Sequence, residues 1–398
     1  MAKLSNGLRC RGAGLACLVA AGFFAAGAQA EQCGAPRPAV LEVPLSGKPF
    51  AAVADRSGCT IYVSLENGRG GAIAVYRRSG DGVTKVAESS VADPAFGLTL
   101  THDGALLIVA EGNGATFFDA AALQADSGGA RLGHIDDGGK GAIKVAVTAD
   151  DGLLFVSDER SSSIGVIDLN KARATGFSNE SIIGRIPVAM APVGLALSPR
   201  GILFATVQIV PWPDRPRTCQ PESDRGGMHY EGAVIAIDVE RARANPAKAM
   251  IGFAPAGCNP VRVALSPATD RAYVTMRGSN ALAVFDTAKL ASGAQNSEIA
   301  TVAVGTAPVG VVVTADGTKV IVTNSNRFGA GNDARQTLSV IDAGKIGTDA
   351  AVMGIVDVGA FPRELSITPD GTTLLVANAI SKSLMLIDIG AMPLHPAR

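Results

Sequence analysis

The sequence has 398 residues with 35 basic and 36 acidic side chains. Without residues 1–30, which carry three basic and no acidic residues, the balance is 32 to 36, or −4. A broad nucleic-acid surface needs a basic excess, so this charge excludes one.

The N-terminus reads as a secretory signal. Lys3, Arg9 and Arg11 form a basic n-region, Ala13 to Gly27 is apolar, and Ala28-Gln29-Ala30 is an A-x-A cleavage site. The apolar stretch is short for a membrane anchor, and later apolar blocks are broken by Gly, Asp or Pro. The expected mature chain starts after Ala30, is periplasmic or secreted, and has no membrane span. Residues 31–398 are expected to form one domain.

Val40 to Gly47 reads as a strand with no blade before it. A repeat follows, with copies starting at Pro49, Ala95, Ala142, Pro192, Pro260, Pro308 and Pro362. The separations are 46, 47, 50, 68, 48 and 54 residues, which is the range of propeller blades. Apolar blocks of four to six residues rich in Val, Ile and Leu indicate strands rather than helices. Asp103-Gly104, Asp151-Gly152, Asp316-Gly317 and Asp370-Gly371 mark hairpin turns between two such blocks. In the sixth copy, strand a spans Val311 to Thr314, strand b Val320 to Asn324 and strand c Thr337 to Asp342. Strand d is a segment of the Thr301 to Gly305 type. The expected fold is an all-β, seven-bladed propeller with four-stranded antiparallel blades. The last copy lacks a strand d, so the N-terminal strand is expected to complete blade 7 and close the ring.

The face where strand a begins is taken as the top. Cys33 and Cys59 then fall at the bottom, while Cys219 and Cys258 fall together at the top of blade 4. An even cysteine count in an exported chain suggests disulfides, and this register predicts Cys33–Cys59 and Cys219–Cys258.

The blade 4 interval is about 20 residues too long. Its excess, Ile209 to Gly232, lies between strands b and c on the top face and holds Trp212 and His229. Blade 6 has a smaller excess at Ser325 to Gln336. Long loops on a rigid scaffold are where binding usually resides. The first residue of strand a reads Ala51, Gly97, Lys144, Gly194, Arg262, Gly310 and Glu364 around the ring. The end of strand b is a second expected channel position, which includes Glu111, Asp158, Asn324 and Asn378. Arg277 and Arg363 are their neighbours. Lys and Arg converging on a polar funnel suit a carboxylate or phosphate. The plainer reading is neutralisation by Lys144–Asp158 and Arg262–Glu364 pairs.

The sequence has no C-x-x-C-H, no paired Cys/His zinc spacing and no G-x-S-x-G elbow. No cofactor and no metal are expected. A calcium site from Glu111, Asp158 and Asn324 is an alternative, opposed by the nearby cations.

Pro308-Val309-Gly310, Asp316-Gly317, Val322-Thr323-Asn324 and Ser339-Val340-Ile341-Asp342 resemble the YVTN-type β-propeller repeat, and Tyr273-Val274-Thr275 nearly spells it. Ile61 to Ser64 with Ala72 to Arg77, and Pro362 to Ser366 with Leu375 to Asn378, resemble the first and last blades of lactonase-like propellers related to 6-phosphogluconolactonase. That resemblance implies Arg, Glu and His around the top channel. Arg262, Arg363, Glu111 and Glu364 could fill such places, and no His falls at either ring position. Two readings follow. One is a non-catalytic exported monomer that binds a small anionic ligand or a protein partner through its top face. The other is a periplasmic lactone hydrolase using Arg262, Glu111 and Glu364. A passive scaffold is a third.

Overall fold

The structure, a computed structural model, describes residues 33, 36, 38–79, 82–126, 129–211, 219, 231–327 and 336–396. The predicted Trp212 and His229 lie outside the described residues. The described chain forms seven four-stranded antiparallel sheets. Six of them run in sequence order, as in blade 6 with Pro308–Val313, Lys319–Asn324, Gln336–Asp342 and Val352–Val358. The seventh joins Pro362–Ile367, Thr373–Asn378 and Ser383–Asp388 to Val40–Pro44. Val43 pairs with Leu384 in that closing strand, so ring closure by the N-terminal strand is as expected. Both disulfides, Cys33–Cys59 and Cys219–Cys258, form as predicted from the blade register.

The Val-, Ile- and Leu-rich centres of strands b and c pack between adjacent sheets. Leu107, Ile108, Val109, Phe117 and Phe118 of blade 2 are completely buried. Four short helices between strands c and d were not anticipated: Ala120–Gln124, Leu169–Ala174, Val239–Ala244 and Thr287–Ala291. Each starts at the Asp that ends strand c, namely Asp119, Asp168, Asp238 or Asp286, whose carboxylate accepts a first-turn backbone N–H. The recurrent Asp is therefore a helix cap as well as a strand end. No helix among the described residues is long and apolar enough to cross a membrane.

Strand a begins earlier than expected, at Pro308 rather than Val311 in blade 6, because a bulge separates the two residues. The same irregularity recurs near the start of strand a in every blade. A bulge re-aims the side chains around it. Here it lies beside Lys144, Arg262 and Glu364. The glycines at this position have a steric cause. A Cβ on Gly97 would lie 2.8 Å from Ile143 O, one on Gly194 2.6 Å from Val261 O, and one on Gly310 2.6 Å from Arg363 O. Glycine in blades 2, 4 and 6 thus admits the charged strand of blades 3, 5 and 7.

Candidate functional site

Those three charged side chains meet. Lys144 Nζ lies 3.0 Å from Glu364 Oε2, and Arg262 Nε bonds Glu364 Oε1. Arg262 Nη1 also donates to Val193 O at 2.6 Å. Burial alone would raise the Glu364 carboxyl, but Arg262 and Lys144 outweigh it and hold its pKa at about 2. Two cations share one carboxylate, which leaves a net positive charge.

A pocket of about 160 Å³ opens next to this triad. Arg262, Arg277, Arg327 and Arg363 line it, together with Phe361, Gln208 and Glu159. Arg363 stacks over the Phe50 ring at 4.2 Å and the Phe361 ring at 5.5 Å, and Arg262 reaches Phe50 from 5.7 Å. Glu66 stands 3.8 Å from Arg363. Loss of water and the neighbouring Arg262 lower the Arg363 pKa to about 10, so it stays cationic at neutral pH. Phe361 adopts φ +57° immediately before Pro362. A bulky residue in left-handed backbone costs roughly 1–2 kcal/mol, and here the turn sets its ring on the pocket wall.

Of the predicted residues, Arg262, Arg277 and Arg363 come together in this pocket, with Lys144 and Glu364 beside it. Of the strand b ends, Gln208 lines the pocket, but Glu111, Asp158, Asn324 and Asn378 do not. Glu111 accepts the Asp93 N–H at 3.0 Å and the Thr116 hydroxyl. Asn324 donates to Thr337 and Ser339, both at 3.0 Å, and Asn378 to Ser383 at 3.3 Å. Asp158 bonds Arg185, so the expected Lys144–Asp158 pair is replaced by Lys144–Glu364. The physical reason is position: strand a stands between strand b and the axis. The b-terminal side chains instead pack on the connector entering their own blade. A Cβ on Gly305 or Gly359 would collide with Asn324 or Asn378 at 2.4 and 2.8 Å. Glu111, Asp158 and Asn324 remain in separate blades and build no common calcium site. Among the described residues no group of three His, Cys, Asp or Glu could hold a metal ion.

Arg327, Phe361 and Glu159 were missed. Arg327 lies in the blade 6 excess, which marked its region; Phe361 precedes a copy-starting proline as Ala191, Asn259 and Ala307 do, all with positive φ, and Glu159 follows the end of strand b as Arg277 does.

Residues 237–392 match the family model described as "Lactonase, 7-bladed beta-propeller". The chain is a seven-bladed propeller whose C-terminal blades match this lactonase-type model. The matched segment contains Arg262, Arg277, Arg327, Phe361, Arg363 and Glu364. Among solved structures, this propeller resembles a chain of Kuenenia stuttgartiensis hydrazine synthase. The TM-score is 0.65 at 16% identity, over 87% of this chain and 97% of that one. At that identity the likeness concerns fold. No curated protein sequence matches it significantly.

Proposed function

We propose that this lactonase-like propeller is an exported protein that takes a small carboxylate or phosphate into the arginine-lined pocket, without turning it over. Among the described residues, four guanidiniums stand against one lining carboxylate, that of Glu159, and this carries the reading. Guanidinium forks match carboxylate and phosphate oxygens two at a time. The modest volume favours a small molecule over a polymer. Two disulfides support the export part of the reading.

Calorimetric titration of the mature protein with inorganic phosphate and with small mono- and dicarboxylates tests it. Binding should weaken about tenfold or more in Arg363→Ala, the size of a lost charged hydrogen bond. Absence of binding across the series, or unchanged affinity in the variant, contradicts the reading.

The family match over the pocket-bearing blades favours a second reading, lactone hydrolysis. Water would add to the lactone carbonyl beside the guanidiniums, the ring C–O bond would break, and the alkoxide would take up the proton released by the attacking water. Glu364 suits this poorly as a base, because Arg262 and Lys144 hold it ionised and engaged. Glu159 is the carboxylate in the pocket lining. Turnover of any member of a lactone panel, lost in Arg262→Ala, selects this reading over binding alone.

A further inference from the structure

Asp137 and Asp158 form a buried carboxyl pair served by one cation. Asp137 lies on the connector from blade 2 to blade 3, and Asp158 ends strand b of blade 3. Both side chains have no solvent exposure. Arg185, on strand d of blade 3, donates to Asp137 Oδ1 at 2.8 Å and to Asp158 Oδ2. Its remaining bonds go to Asp137 O and Ser163 Oγ. The Gly139 N–H donates to Asp137 Oδ1 at 2.8 Å. Asp137 Oδ2 and Asp158 Oδ1 are buried with no hydrogen-bond partner.

With both carboxyls ionised, this cluster would bury a net negative charge and leave two lone acceptor oxygens. Each is costly away from water. Asp136 adds a further nearby negative charge, and among the described residues Arg185 is the one cation bonded to the pair. Glycine backbone packs closely against both carboxyls. A Cβ on Gly165 would fall 1.8 Å from Asp137 Oδ2, and one on Gly139 2.3 Å from Asp158 Oδ2. One proton on the pair balances the charge of the two carboxyls against Arg185.

We propose that Asp137 and Asp158 share a single proton at neutral pH and below, and that the pair is a pH-sensitive latch holding the glycine-rich connector between blades 2 and 3. Burial raises both groups against the pull of Arg185; the charge of Asp137 adds to it at Asp158, which reaches about 7, and that of Asp136 adds to it at Asp137. Gly138 and Gly141 carry φ +79° and +71°, so the latch closes on a turn whose left-handed backbone favours glycine. Its far side is fastened by Glu159 N–H to Gly141 O at 3.0 Å and Arg160 N–H to Lys140 O at 3.1 Å. Arg160 also packs against Gly141, where its Nε lies 2.7 Å from a Cβ position. Ile143 and Glu159, beyond the two ends of the latch, line the arginine pocket. The latch itself does not depend on what that pocket binds.

The sign follows from the raised pKa. The folded state holds a proton that the unfolded state releases near pH 4, so the stability this pair confers is full below pH 4 and falls until about pH 7. Urea unfolding of the mature protein and of Asp158→Asn, between pH 5 and 8.5, tests this. The ratio of wild-type to variant folding constants should drop about tenfold per pH unit up to pH 7 and then level. A ratio independent of pH overturns the proposal. Infrared spectroscopy of the wild type gives a reading that needs no variant: a buried carboxylic acid C=O band at pH 5.5 that disappears as pH rises through 7. Absence of that band also overturns it.

Discussion

At the residue scale, Glu364 is the pivot of the channel. It joins strand a of blade 7 to Lys144 in blade 3 and Arg262 in blade 5. Removing one member of a buried ion cluster leaves the others uncompensated, so Glu364→Gln should cost roughly 3–5 kcal/mol. The pH dependence has a definite sign. A carboxyl whose pKa falls from 4.5 to about 2 on folding contributes stability that is complete above pH 4.5 and is lost as pH falls toward 2. Urea midpoints of wild type and Glu364→Gln should therefore converge between pH 5 and 2.5. A constant gap contradicts the pairing. Arg363 acts differently, since its charge rests on two aromatic rings and a distant Glu66 and faces the pocket. That difference makes Arg363, rather than Arg262, the cleaner probe of ligand binding.

At the element scale, copies four, five and six of the repeat are each tied to the next by the same few atoms. Thr206, Thr275 and Thr323 on strand b donate to Val261 O, Val309 O and Arg363 O of the following blade, at 2.8, 2.7 and 3.3 Å. In Val322-Thr323-Asn324 the three letters thus have three jobs: core, tie to the next blade, and pin to strand c and the incoming connector. Glycine at the start of strand a completes the contact. Gly310→Ala should cost about 1–3 kcal/mol, because its Cβ meets the backbone of Arg363, which cannot swing aside. Gly82→Ala is the control, since its Cβ meets only Ser79 O at 3.6 Å. Comparable melting temperatures for the two variants would contradict the close approach of neighbouring a strands.

At the scale of the whole molecule, the fold was legible because the repeat reports one geometry seven times. The orphan strand Val40–Pro44, the missing last strand and the cysteine register all follow from counting strands, and the structure bears each out. The site was half legible. Departures from glycine pointed to Lys144, Arg262 and Glu364, since a charged residue where the ring prefers glycine must enter the channel. Strand b misled, because alternation along a strand tells which residues share a face but not that strand a screens that face from the axis. Arg327 comes from an excess segment with no counterpart in most copies, whereas Phe361 stands where Ala191, Asn259 and Ala307 stand in other copies, and its departure from small residues was a readable signal. The central claim is that four arginines from three blades form an anion site at the top of the ring. A crystal structure of the mature protein soaked with a small dicarboxylate tests it most directly. The account predicts a carboxylate bound against the guanidiniums of Arg277 and Arg363. A fully occupied ligand elsewhere, with that pocket filled by the protein's own side chains, would contradict it.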